Sequence, residues 1–384
     1  MSLRVNVLLG LLLLCGGAVA LGMSQGGRVA LLWLIGAGLG VALFHATFGF
    51  AGAFRRLLAE GRGAGLRAQM LLLAVLVAFF LPALEAGEVL GAPVRGFVFP
   101  VGWALLLGAF LFGVGMQMGG GCASGTLYTA GGGAVRMWIT LAAFVAGATL
   151  AAWQADFWLP WRTLPALSLP GALGLWPALG LSLGVLGLVA LASRALEKAR
   201  HGSVEPLAWR GGDPLRGPWP LAWGAVALAV LGIATLVVAG RPWAITAAFP
   251  LWGSSLVEAL GWDDPSFWTY WEDPTRVEAW LRPVWTDRIT LMNLGLMAGA
   301  FLAAALAGRA SGWRLPRLGE VATAILGGLL LGVGAVLATG CNISAYVAGI
   351  ASGSMHGWVW IVPALLGNWV GLKLMNLVNR RTPN

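Results

Sequence analysis

Leu107–Cys122 reads LGAFLFGVGMQMGGGC, and 219 residues further on Leu326–Cys341 reads LGGLLLGVGAVLATGC. Gly108, Gly113, Gly115, Gly121 and Cys122 find counterparts in Gly327, Gly332, Gly334, Gly340 and Cys341. Five coincidences at one offset indicate an internal duplication. Each stretch is apolar until its closing glycines, the pattern of a helix that approaches a neighbour closely and then breaks. Upstream, Phe48-Gly49-Phe50-Ala51-Gly52-Ala53-Phe54 precedes the first cysteine as Ala248-Phe249-Pro250-Leu251-Trp252-Gly253-Ser254 precedes the second, and each opens a short amphipathic segment.

The remaining sequence is equally apolar. Of 384 residues, 59% are hydrophobic and only 10% charged, too few charges to cover a body of this size in water. Lipid-facing helices need none. Long continuous apolar runs such as Leu71–Leu81 and Leu291–Leu306 favour helices over the short alternating strands of a membrane barrel. Ten spans are expected, beginning near Val5, Val29, Leu66, Phe97, Met137, Ala172, Leu221, Ile289, Val321 and Trp358. Phe48–Ala59 and Ile245–Leu260 are too short to cross and read as half-membrane, re-entrant helices. An odd number of crossings separates the two similar halves, so they lie inverted. The expected fold is an all-α, polytopic inverted-repeat bundle: an extra N-terminal span (1–28), a first repeat (29–193), a linker (194–220) and a second repeat (221–384).

Alternating the ten spans places 17 of the 24 Lys and Arg residues on one side and 10 of the 15 acids on the other. By the positive-inside rule the basic side is cytoplasmic and holds both termini. The net charge of +9 is then a consequence of topology, and a nucleic-acid partner has no support. Met1–Arg4 followed by Val5–Leu21 also fits a signal sequence, but Leu14 stands where a lipoprotein box before Cys15 needs a small residue. The segment reads as a retained span, with Cys15 a small buried hydrophobe. Trp262–Asp287 reads as an external cap or interfacial loop.

Candidate chemistry concentrates at Gly121, Cys122, Ser124 and Thr126, and again at Gly340, Cys341, Asn342 and Ser344. Glycines let backbone amides turn inward at a helix start, which favours an anion. A neutral thiol is a weak, polarizable donor that binds a soft anion and lets it leave, as transport requires. The other reading makes both cysteines packing residues at helix crossings. His45, His356 and Asn368 either line a path or bridge helices, and Arg55, Arg56 and Glu258 read as interface anchors. No metal-ligand cluster, phosphate loop or paired-carboxylate motif is legible, so no cofactor and no enzymatic activity are expected.

At these residues the chain resembles the YeeE/YedE family of bacterial sulfur-compound transporters. The resemblance covers Val29 to Val378 and is most specific at Gly113–Gly133 and Gly332–Gly357. It implies an hourglass-shaped inverted-repeat bundle in the inner membrane, thiosulfate or a related sulfur anion as substrate, and Cys122 and Cys341 as pathway cysteines. The family's third cysteine, within an R-F-C-F-type segment, corresponds to Gly49 of Thr47-Phe48-Gly49-Phe50. Two alternatives stay open: a membrane sensor or scaffold for a sulfur compound, and a carrier of a different sulfur or selenium species that delivers it to a cytoplasmic thiol protein.

Overall fold

The computed structural model describes residues 3–209, 212–310 and 314–381; Arg210, one of the basic residues of the linker, lies outside them. The main helices are α1 (Leu3–Gln25), α2 (Gly27–Ala46), α3 (Phe50–Arg55), α4 (Ala64–Ala86), α5 (Trp103–Gly119), α6 (Ala123–Gly131), α7 (Val135–Trp153), α8 (Leu175–His201), α9 (Leu221–Ala239), α10 (Ala248–Ala259), α11 (Arg288–Leu306), α12 (Leu318–Leu337) and α13 (Met355–Arg381). Among the described residues ten helical segments are long and apolar enough to cross a membrane. The protein is a polytopic, all-α membrane protein.

Nine of the ten helices start within three residues of the expected positions. The fourth starts at Trp103 rather than Phe97. Arg95 donates its backbone N–H to Gly240 O (2.9 Å), and Pro100–Val101 pairs as a short strand with Leu164–Ala166, so this apolar stretch is extended. Cys15 also departs from expectation, because it is exposed. Only Asn6, Gly10 and Leu14 of α1 are buried; they recur every four residues, and Cys15 stands about 100° around the helix from Leu14. The linker is partly helical, since α8 continues through Arg194 to His201.

The helices pair in a crosswise pattern. α5 lies on α13 and α12 on α7, while α5 and α12 also cross each other. In the other layer α2 lies on α11 and α4 on α9. Glycine makes the central crossing possible. A Cβ on Gly108 would stand 2.8 Å from Gly334 O, and one on Gly115 would stand 2.8 Å from Gly327 O. Any side chain there would separate the helices.

At one end, buried Arg67 donates to the fully buried carboxylate of Glu197 (2.6 Å), which also accepts from the backbone N–H of Gly63 (3.1 Å) and Glu205 (3.0 Å). This network ties α4 to α8 and to the start of the linker. At the other end Trp262–Asp287 forms a series of short helices. Several of its acids cap helix starts: Asp264, Asp273 and Asp287 accept from the backbone N–H of Ser266, Thr275 and Thr290.

Candidate functional site

The bundle breaks at four places, and each break starts a short helix. The residues capping these starts are Gly49 for α3, Cys122 for α6, Ala247 for α10, and Cys341 for a π-helical turn, Asn342–Val347, that continues as Ala348–Ala351. α3 likewise runs into a π-helical turn, Arg56–Glu60. A cap must accept a backbone N–H of the first turn. Gly49 and Ala247 offer no acceptor, while the two cysteines use sulfur. Gly125 N–H donates to Cys122 Sγ and Ile343 N–H to Cys341 Sγ, both at 3.4 Å. Sulfur is a weak acceptor, so these helix starts are lightly satisfied.

Each thiol has a hydroxyl neighbour. Ser124 Oγ stands 3.4 Å from Cys122 Sγ, and Ser344 Oγ stands 3.7 Å from Cys341 Sγ while accepting from Cys341 N–H at 3.1 Å. Thr126 donates its hydroxyl to Cys122 O (2.9 Å), so its proton is engaged. Gly121 precedes its cap without a positive φ, whereas Gly340 has φ 148°, and a Cβ there would run into Ser344 Oγ. Only glycine fits that approach.

The two cysteine-capped elements meet, since α6 touches the turn Asn342–Val347. Both thiols are buried, at 1% and 0% exposure, in one apolar cluster with Phe50, Phe112, Phe144, Phe249, Tyr346 and Trp360. The glycine- and alanine-capped helices stand beside them. A Cβ on Gly49 would lie 3.5 Å from Tyr128 Oη of α6, and Thr246 Oγ1, next to Ala247, is 3.5 Å from Ser344 Oγ. Neither Tyr128 nor Thr246 stands among the candidates read from the sequence; the breaks they flank were the available signal.

Asn342 differs from the hydroxyl groups around the two thiols. Fully buried, its carboxamide makes no hydrogen bond through either Nδ2 or Oδ1. Its counterpart 219 residues earlier is Ala123. The amide therefore belongs to one half only.

The other candidates sit further out. Asn368 accepts from Gln117 Nε2 (2.7 Å) and donates to Ala364 O (2.7 Å). Gln117 in turn donates to Ala51 O and accepts from Arg55 Nε (2.9 Å), which fixes α3 against α5 and α13. Arg56 reaches Glu60 and Glu205. His356 Nδ1 lies 2.9 Å from Ser354 Oγ, and its ring meets Phe99 edge-on. His45 is covered by the linker: its carbonyl accepts from Trp219 N–H (2.8 Å), and the Trp219 ring lies 5.3 Å from its own. Glu258 is exposed near the end of α10. Among the described residues no group of three or more His, Cys, Asp or Glu side chains stands together.

A family profile described as sulphur transport matches residues 45–370. The probable transporter YedE of Escherichia coli (strain K12) is 30% identical over 173 residues, which are 43% of this chain and 40% of YedE, so the match spans less than half of that relative. The thiosulfate transporter TsuA of Spirochaeta thermophila is 28% identical over 281 residues, covering 69% of this chain and 75% of its own. TsuA of Escherichia coli (strain K12) is 25% identical over 283 residues, covering 70% and 74%.

Proposed function

Because the chain belongs to the sulphur-transport family, we propose that it is a permease taking up thiosulfate or a related small sulfur oxyanion along a central path that passes Cys122 and Cys341. The supporting observation is the pairing of a buried thiol with a buried, unbonded carboxamide at Cys341-Asn342. Each of its two unpaired polar groups costs about 1–3 kcal/mol, so the fold keeps the amide against its own stability. A passing oxyanion accepts from Nδ2, while the S–H beside it suits a soft sulfur atom. Both thiols are closed off from solvent in this conformation, so passage requires the short helices to shift.

The path lies between halves that we take as inverted repeats. The contacts Gly108 to Gly334 and Gly115 to Gly327 exchange when each residue is replaced by its counterpart at the 219 offset, as a two-fold relation demands. Under this reading α3, α6, α10 and the turn at Asn342 enter the membrane only part-way. The basic end, with Arg67, Glu197 and both termini, faces the cytoplasm of a bacterial cell, and the Trp262–Asp287 cap faces outside.

Gly49 favours one variation on this reading. It replaces the family's third cysteine, so a sulfur or selenium species other than thiosulfate, handed to a cytoplasmic thiol protein, is the second reading. Uptake of radiolabelled thiosulfate into proteoliposomes decides between them. Saturable uptake supports the first, and its absence in protein that is folded and inserted refutes it.

A further inference from the structure

Away from the cysteines, the loop between α7 and α8 holds an arginine with buried N–H donors that the protein leaves unbonded. Arg162 follows a short turn, Leu159–Trp161, that rests against the start of α5, where a Cβ on Gly102 would stand 2.6 Å from Thr163 N. Its guanidinium lies 5.1 Å from the centre of the Trp158 ring. Two of its nitrogens, Nε and Nη2, are buried and have no hydrogen-bond partner. They carry three of the five N–H donors of the fork. Burial, and then the neighbouring positive charge of Arg276, lower its pKa to about 10, which still leaves it protonated at neutral pH.

The surrounding groups are otherwise committed. Arg276 stacks on Tyr270, 4.2 Å from the ring centre, and donates to Tyr270 O (3.3 Å). Asp273 is the near carboxylate, but one of its oxygens accepts from Thr275 N (2.8 Å) and Thr275 Oγ1 (2.6 Å), and the other stands 4.0 Å from Arg276. Two guanidinium groups thus stand within electrostatic reach of each other, and the one carboxylate near both is already engaged. Desolvated N–H donors beside a second cation need an acceptor carrying negative charge. A planar fork with free donors fits two oxygens of a tetrahedral oxyanion better than it fits a halide.

We propose that Arg162, with Arg276 of the cap beside it, binds a small sulfur oxyanion where the α7–α8 loop meets the cap, separate from the thiol path and ahead of it. The proposal rests on the transport reading for the ligand's identity, but the site is built from different residues. Capture there raises the local concentration of substrate at the mouth without contributing to the steps that follow. The phosphate of an anionic lipid headgroup offers the same chemistry, so the lipid must be varied independently.

The test uses the full-length protein in phosphatidylcholine nanodiscs and measures hydrogen–deuterium exchange of segments 155–166 and 268–280. Thiosulfate and sulfate are expected to protect both segments in the wild type, and Arg162→Gln to abolish the protection. In proteoliposomes Arg162→Gln should raise the KM for external thiosulfate about 5- to 10-fold, with kcat within two-fold of wild type. Arg162→Lys, which keeps the charge but not the fork, should fall between. Unchanged protection and KM in Arg162→Gln overturn the proposal, as does protection that appears only on adding phosphatidylglycerol. Wild-type uptake without cap protection refutes this site alone. Cap protection without any uptake refutes the transport reading and leaves the oxyanion site standing.

Discussion

Replacing Asn342 by leucine should stabilise the protein and stop uptake. The two side chains have the same number of heavy atoms and branch at the same carbon, so the exchange mainly removes polarity. In the resting structure the carboxamide is fully buried with neither nitrogen nor oxygen bonded. Each such group costs about 1–3 kcal/mol to bury unpaired. The methyl groups of leucine are bulkier, and overpacking among Cys341, Ile343 and the core aromatics returns about 1–3 kcal/mol. The balance for two relieved groups against one overpacked site is a net gain of roughly 1–3 kcal/mol. Thermal unfolding in detergent should therefore move up by several degrees. Initial rates of radiolabelled thiosulfate uptake should fall at least ten-fold, since a donor used only by the passing anion has gone. Asn342→Asp keeps the shape but adds a like charge, so it should lose uptake and also lose stability. Wild-type uptake by Asn342→Leu would refute the reasoning. So would a clearly lowered melting temperature, because that would mean the amide is satisfied within the fold.

Cys122→Ala and Cys341→Ala should each reduce uptake at least ten-fold at a cost in stability on the order of 1 kcal/mol, measured by uptake and melting on one sample; normal transport by the double variant would restore the packing reading. Gly49→Cys should raise thiosulfate uptake 2- to 5-fold if one S–H contact adds about 0.5–1 kcal/mol, and a stable variant with unchanged uptake would show that the missing thiol does not limit this protein. Glu197→Gln leaves buried Arg67 without its counter-ion and should destabilise the protein by about 3–5 kcal/mol, visible as a large loss of melting temperature with no selective effect on KM. Arg200→Cys should react with a membrane-impermeant maleimide only from the cytoplasmic side and Glu272→Cys only from the outside; the reverse pattern would invert the topology.

The spans were legible because apolar length is nearly all a membrane helix requires, and nine of the ten starts follow from it. The failure at Phe97 has the same origin. Hydropathy counts Phe97, Val98 and Phe99 as helix, whereas Phe97 N–H donates to Ser352 Oγ and Pro100–Val101 pairs with Leu164–Ala166. Cys15 was misjudged because composition does not tell which face of α1 meets α11, and only the face of Gly10 and Leu14 does. The acids of Trp262–Asp287 were seen as a charged loop, and their use as caps depends on turns that no periodicity reveals. At the candidate site the cysteines and glycines were found through repetition. The carboxamide of Asn342 was also singled out, but its lack of partners is a property of the packed surroundings. Arg162 gave no signal at all, since an arginine in a loop is ordinary until its nitrogens are found buried.

Repetition also explains why Gly49 is more than a gap in a motif. Gly49, Cys122, Ala247 and Cys341 all hold one structural position, the residue that caps a short helix at a break in the bundle. Soluble proteins fill that position with Ser, Thr, Asp or Asn, worth about 0.5–2 kcal/mol over alanine. None of the four is used here. At Gly49 the side-chain cap is absent and at Cys122 it is a weakly accepting sulfur, whereas Ser344 completes a capping box at Cys341 and the carbonyls of Ile245 and Thr246 take the first N–H groups of α10. The lightly held starts of α3 and α6 suit the movement that the proposed path requires. Gly49 has φ −111° and ψ 121°, a conformation open to any residue, with Tyr128 Oη at ordinary contact distance from a new Cβ. The backbone there accommodates a thiol, so no constraint of the fold accounts for its absence.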